Sequence, residues 1–96
     1  MKLRRLIDSK RDEILKIAGR HGATDIRLFG SVARGQETKT SDADFLVEMA
    51  AGASLLDIIA IQQDLEDLLC VKVDVVTARS LSPYFRDEVL KEVVNL

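Results

Sequence analysis

Asp42-Ala43-Asp44 constrains this chain more than any other stretch, because it opens DADFLVEM, an apolar run that reads as a strand over Asp42 to Met49. Residues i and i+2 of a strand share a face. Two carboxylates therefore stand side by side, and each raises the cost of ionising the other. A fold accepts that arrangement most readily when a cation sits between them. Hard carboxylate oxygens suit Mg²⁺, which keeps waters and substrate phosphates as its remaining ligands. Gly30-Ser31 ends the preceding apolar segment, and Ser31 lies eleven residues ahead of Asp42. Gly30 has no side chain to block an approaching phosphate. Ser31 adds a hydroxyl where a helical turn begins, and backbone N–H groups there favour an anion. A phosphate cradle followed by paired metal carboxylates points to nucleotide chemistry. Arg34 and Lys39 lie between the two and read either as partners for triphosphate oxygens or as solvated loop charges.

A third carboxylate interrupts VKVDVV, one of the most strand-like runs in the chain. Asp74 there needs a partner or water if it is ionised. If its strand lies beside that of Asp42 and Asp44, three carboxylates converge. Two of them suffice to bridge a pair of Mg²⁺ ions, and the third can help deprotonate an acceptor hydroxyl. The plainer reading of Asp74 alone is an exposed residue on a half-solvated strand.

The remaining segments supply a frame. Leu3, Leu6, Ile7, Ile14, Ile17 and Ala18 build an apolar stripe that predicts one N-terminal helix, with Gly19 and Gly22 as stop signals. His21 between those glycines reads as a solvated capping residue. Asp25 to Ser31 predicts a strand with Ile26 and Leu28 on one side and Arg27 and Phe29 on the other, followed by a helical turn over Val32 to Gln36 and a polar loop over Thr38 to Ser41. In the Asp42 strand, Ala43, Phe45 and Val47 form the core-facing set, and Leu46 and Glu48 share the other face with the aspartates. After a connection at Ala50 to Ala53, Ser54 predicts an N-cap with Asp57 as its acidic partner. The helix that follows runs to about Leu69, with Leu55, Ile58, Ile59, Leu65, Leu68 and Leu69 as its buried stripe and Asp64, Glu66 and Asp67 in water. Cys70 reads as a small buried residue. Val71 to Thr77 predicts the third strand. Ser82-Pro83 opens a last helix, with Pro at its tolerated first position. Leu90, Val93 and Val94 pack back on the domain or on a partner, and Tyr84, Phe85 and Val89 form a candidate docking surface. The expected class is α/β (α+β), with helices packed on one face of a small mixed sheet and the aspartates on the other.

Composition excludes several alternatives. Ninety-six residues with 47% hydrophobic content suit one small domain, residues 1–96, rather than a disordered chain. A net charge of −2 and four aromatic residues offer neither the cationic surface nor the stacking platform that long nucleic acid needs. One cysteine excludes an intramolecular disulfide and fits a reducing compartment. No apolar run approaches the ~20 residues of a membrane span, and the basic N-terminus lacks the apolar core of a signal peptide. A cytoplasmic protein is expected.

GSVARG, then SDADFLV, then VDVV together resemble the minimal nucleotidyltransferases (MNT) of the DNA polymerase β superfamily. The resemblance extends from the first helix through LLDIIAIQQDLEDLL to LSPYFRDEVL. It implies the nucleotidyltransferase fold, Mg²⁺ (two ions) and a nucleoside triphosphate, usually ATP. By position it implies that Gly30 and Ser31 hold the triphosphate while Asp42, Asp44 and Asp74 bind metal and carry catalysis. Chains of this size resemble the antitoxin half of HEPN–MNT pairs. That resemblance implies transfer of AMP to a tyrosine of a HEPN-family ribonuclease toxin, which silences it. Alternative readings are an antitoxin acting by binding alone and a small-molecule nucleotidyltransferase of the aminoglycoside-modifying kind.

Overall fold

The computed structural model describes residues 3–36 and 42–96. Its strands are β1 (Ala23–Phe29), β2 (Ala43–Met49), β3 (Val73–Thr77) and β4 (Val94–Asn95). Its helices are α1 (Leu3–Ser9), α2 (Arg11–Arg20), the single turn α3 (Gly30–Ala33), α4 (Leu55–Leu69) and α5 (Pro83–Glu92). The four strands form one mixed sheet in the order β3-β2-β1-β4. β2 runs antiparallel to β1 and parallel to β3, and β4 closes the other edge antiparallel to β1.

Alternation decides which face is covered. Ile26, Leu28, Ala43, Phe45, Val47, Val73 and Val75 are buried in one cluster with Ile7 of α1, Ile14 and Ala18 of α2, Val32 of α3, and Ile61, Leu65 and Leu69 of α4. Each of the Val, Leu, Ile and Phe side chains among them contributes about 1.5–3 kcal/mol by leaving water. This is the expected mixed sheet with its core under helices. α5 differs: its Leu90 borders a recess on the opposite face together with Leu46 and Arg27. Among the described residues no helix is long and apolar enough to cross a membrane.

Several local expectations need correction. The N-terminal helix is two helices, broken at Lys10. The Ser9 hydroxyl donates to the Leu6 carbonyl at 2.7 Å, and that local bond competes with the helical ladder. The strand expected over Asp25 to Ser31 instead spans Ala23–Phe29, and the helical turn starts at Gly30 rather than Val32. Gly30 has φ +79°, which ends an extended run there. The Ser54 N-cap is as expected, with the Asp57 carboxylate accepting the Ser54 N–H at 2.9 Å. The buried stripe of α4 is not: Leu55 and Ile59 are exposed (70% and 41%), while Ile61, absent from the expected stripe, is fully buried. Ile61, Leu65 and Leu69 centre the buried face, and at about 100° per residue Leu55 lies about 80° from that centre and Ile59 about 120° from it.

His21 is not merely solvated: its Nε2 lies 2.8 Å from Asp64 Oδ2, so Asp64 does not simply face water either. Glu66 is likewise engaged, accepting the Val73 N–H at 3.1 Å. Cys70 is exposed rather than buried, because it caps α4 in the left-handed conformation (φ +56°) with its N–H on the Glu66 carbonyl. β3 begins at Val73, two residues later than expected. Val89 points inward and is buried, whereas Tyr84 and Phe85 are 90% and 66% exposed. Val94 becomes part of the two-residue strand β4. The loop expected over Thr38 to Ser41 lies outside the described residues.

Candidate active site

Register brings the acidic residues together. Asp44 of β2 is paired with Asp74 of β3 on one side and with Phe29 of β1 on the other. Paired residues of neighbouring strands share a face, so Asp44 and Asp74 project from the same side of the sheet. That side is the one opposite Phe45 and Val73, both fully or almost fully buried in the helix-covered core. Asp42 precedes β2 on the same parity as Asp44 and is half-buried. The Ala43 N–H donates to the Lys72 carbonyl at 3.0 Å, which extends the β2–β3 pairing to the level of the aspartates.

The turn after β1 lies against this group. Phe29 faces Asp44 in the register, so Gly30 and Ser31 begin α3 next to the Asp44 carboxylate. A Cβ built on Gly30 would run into Asp44 Oδ2, and Gly30 also has φ +79°. Both observations demand glycine at this place. α3 is one turn long, and its carbonyls are satisfied at the far end: Arg34 N–H donates to Gly30 O, Gly35 N–H to Val32 O and Gln36 N–H to Ser31 O. Its first N–H groups face no preceding helical turn and are the ones an anion can use.

Electrostatics single out Asp44. Burial, then the Asp74 and Asp42 carboxylates, push its pKa up to about 6 from the usual 3.8, and the Arg34 guanidinium offsets part of that rise. Among the described residues the Arg34 guanidinium offsets only part of the crowding of these carboxylates. Among the described residues no three acid, histidine or thiol groups surround one point closely enough to form a ready-made metal cage. Neighbouring but open carboxylates fit a hard divalent ion that fills its shell with water and phosphate oxygens. Asp42, Asp44 and Asp74 are the residues that would hold it.

Of the two cations expected near the phosphates, Arg34 is present but engaged. Its Nη1 donates to Glu92 Oε2 of α5 at 2.7 Å and its Nε to Gln36 Oε1 at 3.1 Å. Glu92 lies 58 residues further along the chain, and nothing in the local sequence signals the pairing. Lys39 lies outside the described residues. Phe29 is the cross-strand neighbour of Asp44, a position that its place in the strand alone did not reveal.

The profile of the nucleotidyltransferase domain family matches residues 11–96. The chain belongs to that family. A proposed protein adenylyltransferase of Methanocaldococcus jannaschii is 39% identical over 90 residues, covering 94% of this chain and 97% of the relative. Among solved structures, a proposed minimal nucleotidyltransferase superposes with a TM-score of 0.89 at 43% identity, covering 100% of this chain and 97% of the other. A toxin–antitoxin structure with AMP-PNP superposes with a TM-score of 0.75 at 27% identity, covering 88% of this chain and 69% of that one. The minimal nucleotidyltransferase resemblance of the sequence is therefore borne out, and with it the transferase class and the mixed α/β fold.

Proposed function

We propose that residues 1–96 act as one Mg²⁺-dependent adenylyltransferase domain, a cytoplasmic antitoxin that moves AMP from ATP to a tyrosine hydroxyl of a HEPN-family ribonuclease toxin and so neutralises it. The observation that carries this reading is the Asp44–Asp74 register beside a glycine whose Cβ would occupy the carboxylate's space. The protein adenylyltransferase name of the Methanocaldococcus relative and the toxin–antitoxin structure with AMP-PNP support the substrate and the partner class.

In this reading Gly30 and Ser31 hold the β- and γ-phosphates at the α3 turn. Asp42, Asp44 and Asp74 hold the divalent ions. When bound, those ions neutralise charge on the α-phosphate and on the leaving oxygen. The acceptor oxygen attacks the α-phosphorus and forms a new P–O bond. The bond from that phosphorus to the α–β bridging oxygen breaks, and pyrophosphate departs on the side of Gly30. The hydroxyl proton passes to the Asp74 carboxylate; its exposure and its register with Asp44 support that role. Arg34 exchanges its Glu92 partner for phosphate oxygens when the triphosphate is seated.

The test is transfer of label from ATP marked at the α-phosphate, with Mg²⁺, to a co-purified HEPN partner. Label on the partner's tyrosine is the expected result. Full neutralisation of the toxin without any label on it would replace this reading with inhibition by binding. Label on an aminoglycoside and none on protein would replace it with small-molecule transfer.

A further inference from the structure

Arg34 ties the site to a distant part of the chain. α3 turns once from Gly30, and the Arg34 N–H closes that turn on the Gly30 carbonyl at 3.1 Å. The guanidinium is near enough to Asp44 to offset part of the rise in that carboxyl's pKa. Among the described residues its ion pair is nevertheless made elsewhere. Nη1 donates to Glu92 Oε2 at 2.7 Å, and Nε donates to Gln36 Oε1 at 3.1 Å. One guanidinium nitrogen meets the Glu92 carboxylate, and the two side chains are 41% and 34% exposed. A single-point, solvated ion pair of this kind is weak. A phosphate group offers the same guanidinium two parallel hydrogen bonds.

Glu92 stands at an unfavourable place for an acid. It is the last residue of α5, where the helix dipole presents its negative end. Lys91 beside it is exposed and makes no ion pair among the described residues, so Arg34 is the cation that holds Glu92. The rest of α5 is fixed by other means. Val89 is buried, and Arg86 Nε donates to the Ala78 carbonyl at 2.9 Å. Beyond Glu92, β4 pairs Val94 with Leu28 and Asn95 with Arg27. Arg11 Nη2 donates to the Leu96 carbonyl at 2.9 Å, and Leu96 packs against the core while staying partly exposed. Leu28 is two residues ahead of Gly30, so this C-terminal end lies against the strand that delivers the phosphate turn.

We infer that Glu92 and the triphosphate compete for the Arg34 guanidinium, so that seating the nucleotide frees Glu92 and loosens the end of α5 together with β4. The inference rests on the nucleotide reading above and adds to it a residue that lies outside the phosphate turn and the acidic group. Glu92 touches neither nucleotide nor acceptor. It is a positioning residue that acts through Arg34. Breaking the Arg34–Glu92 pair is part of the cost of seating the phosphates, so apparent affinity is lower than a free Arg34 would give. Coupling of this kind is reciprocal. Whatever fixes the end of α5 onto Arg34 weakens nucleotide binding, and whatever draws it away strengthens it. The unfavourable position of an acid at the α5 terminus adds to the effect: once Arg34 turns to phosphate, the last turn of α5 carries a carboxylate that the helix dipole repels.

The affinity for AMP-PNP with Mg²⁺ is measured by calorimetry for the full chain, Glu92→Gln, Arg34→Gln and the double variant. Glu92→Gln is expected to tighten binding about two- to fivefold, the strength of an exposed ion pair. In the Arg34→Gln background the same change is expected to alter nothing, because the residue through which it acts is gone. Glu88→Gln, one turn earlier and exposed on α5, controls for charge alone and is expected to leave affinity unchanged. Weaker or unchanged binding by Glu92→Gln overturns the inference. So does equal tightening in both backgrounds, or the same tightening with Glu88→Gln. A second measurement reads the C-terminal end in the parent chain. Hydrogen exchange of the Val94 and Asn95 amides is expected to accelerate severalfold when AMP-PNP and Mg²⁺ are added. In Glu92→Gln it is expected to be fast already and to respond no further. Unchanged or slower exchange in the parent overturns the coupling to β4. A parent chain that binds no AMP-PNP overturns the nucleotide reading itself, whereas binding that is indifferent to Glu92 overturns the competition alone.

Discussion

The two faces of one four-stranded sheet are built from the same strands and obey opposite demands. On the covered face of β2, Ala43, Phe45 and Val47 are almost wholly withdrawn from water under α2 and α4. One residue away on the other face, Asp44 is half-buried beside two further carboxylates and holds its proton to about pH 6. The first face is a set of mutually satisfied contacts. On the second, among the described residues, carboxylates crowd one another with only partial relief from Arg34. The difference teaches where to look for function: stability is concentrated on one face, and the opposite face gathers carboxylates whose mutual repulsion a bound cation would relieve. Substitutions on the two faces should therefore separate cleanly into those that unfold and those that inactivate.

The largest separation is expected from Asp42→Asn combined with Asp44→Asn. Neither side chain is part of the core cluster. The double variant should keep its circular dichroism and melting cooperativity while AMP transfer drops by roughly a thousandfold, the loss typical of removing a principal electrostatic element from a transfer site. A variant that retains transfer within tenfold would end the distinction between the faces. The mirror experiment is Phe45→Ala. Phe45 has no exposed surface and sits at the centre of the covered face. Truncation should cost about 3–5 kcal/mol, read as a lowered urea midpoint or melting temperature. Whatever fraction stays folded should keep its nucleotide affinity.

Gly30→Ala probes the seam between the faces and should show a smaller effect on both. The new Cβ is strained at φ +79° and meets the Asp44 carboxylate. A loss of about 1–2 kcal/mol in stability is expected from the left-handed backbone. A larger proportional loss of transfer is expected because the carboxylate must move. Equal activity in the variant would show that the close approach of Gly30 to Asp44 is incidental.

How much of this was legible in the sequence follows the same division. Alternation over VKVDV and DADF announced both the faces and the acids, because side-chain direction along a strand is fixed by its period. The Asp44–Asp74 pairing followed once the two strands proved to be neighbours. Legibility ended where long-range contacts decide. Leu46 has the parity of an exposed residue and is nevertheless covered, on the side where Leu90 lies, 44 positions further along (90 − 46). Arg34 looked available to phosphate, yet Glu92 of α5 holds it. The Ser9 hydroxyl, the left-handed cap at Cys70 and the two-residue β4 are too local or too short for any periodicity to reveal.

The smallest expected effect is also the sharpest test of the unbalanced charge. Asp44 binds its proton more tightly in the folded chain than in the unfolded one, about 6 against 3.8. Between those values the native state holds more protons than the unfolded state, so stability falls as pH rises from about 4 to 6 and the loss is complete above that window. Because Asp44 is partly solvated, screening reduces the effect to about 1 kcal/mol. Urea unfolding at the two ends of the window should show that slope in metal-free protein. Asp44→Asn should flatten it, since the amide does not titrate. Mg²⁺ should flatten or reverse it in the parent chain, because a bound cation favours the ionised carboxylates. An identical slope in the parent and the Asn variant would place the titrating group elsewhere, and indifference to Mg²⁺ would remove the argument that these acids stand together in order to hold an ion.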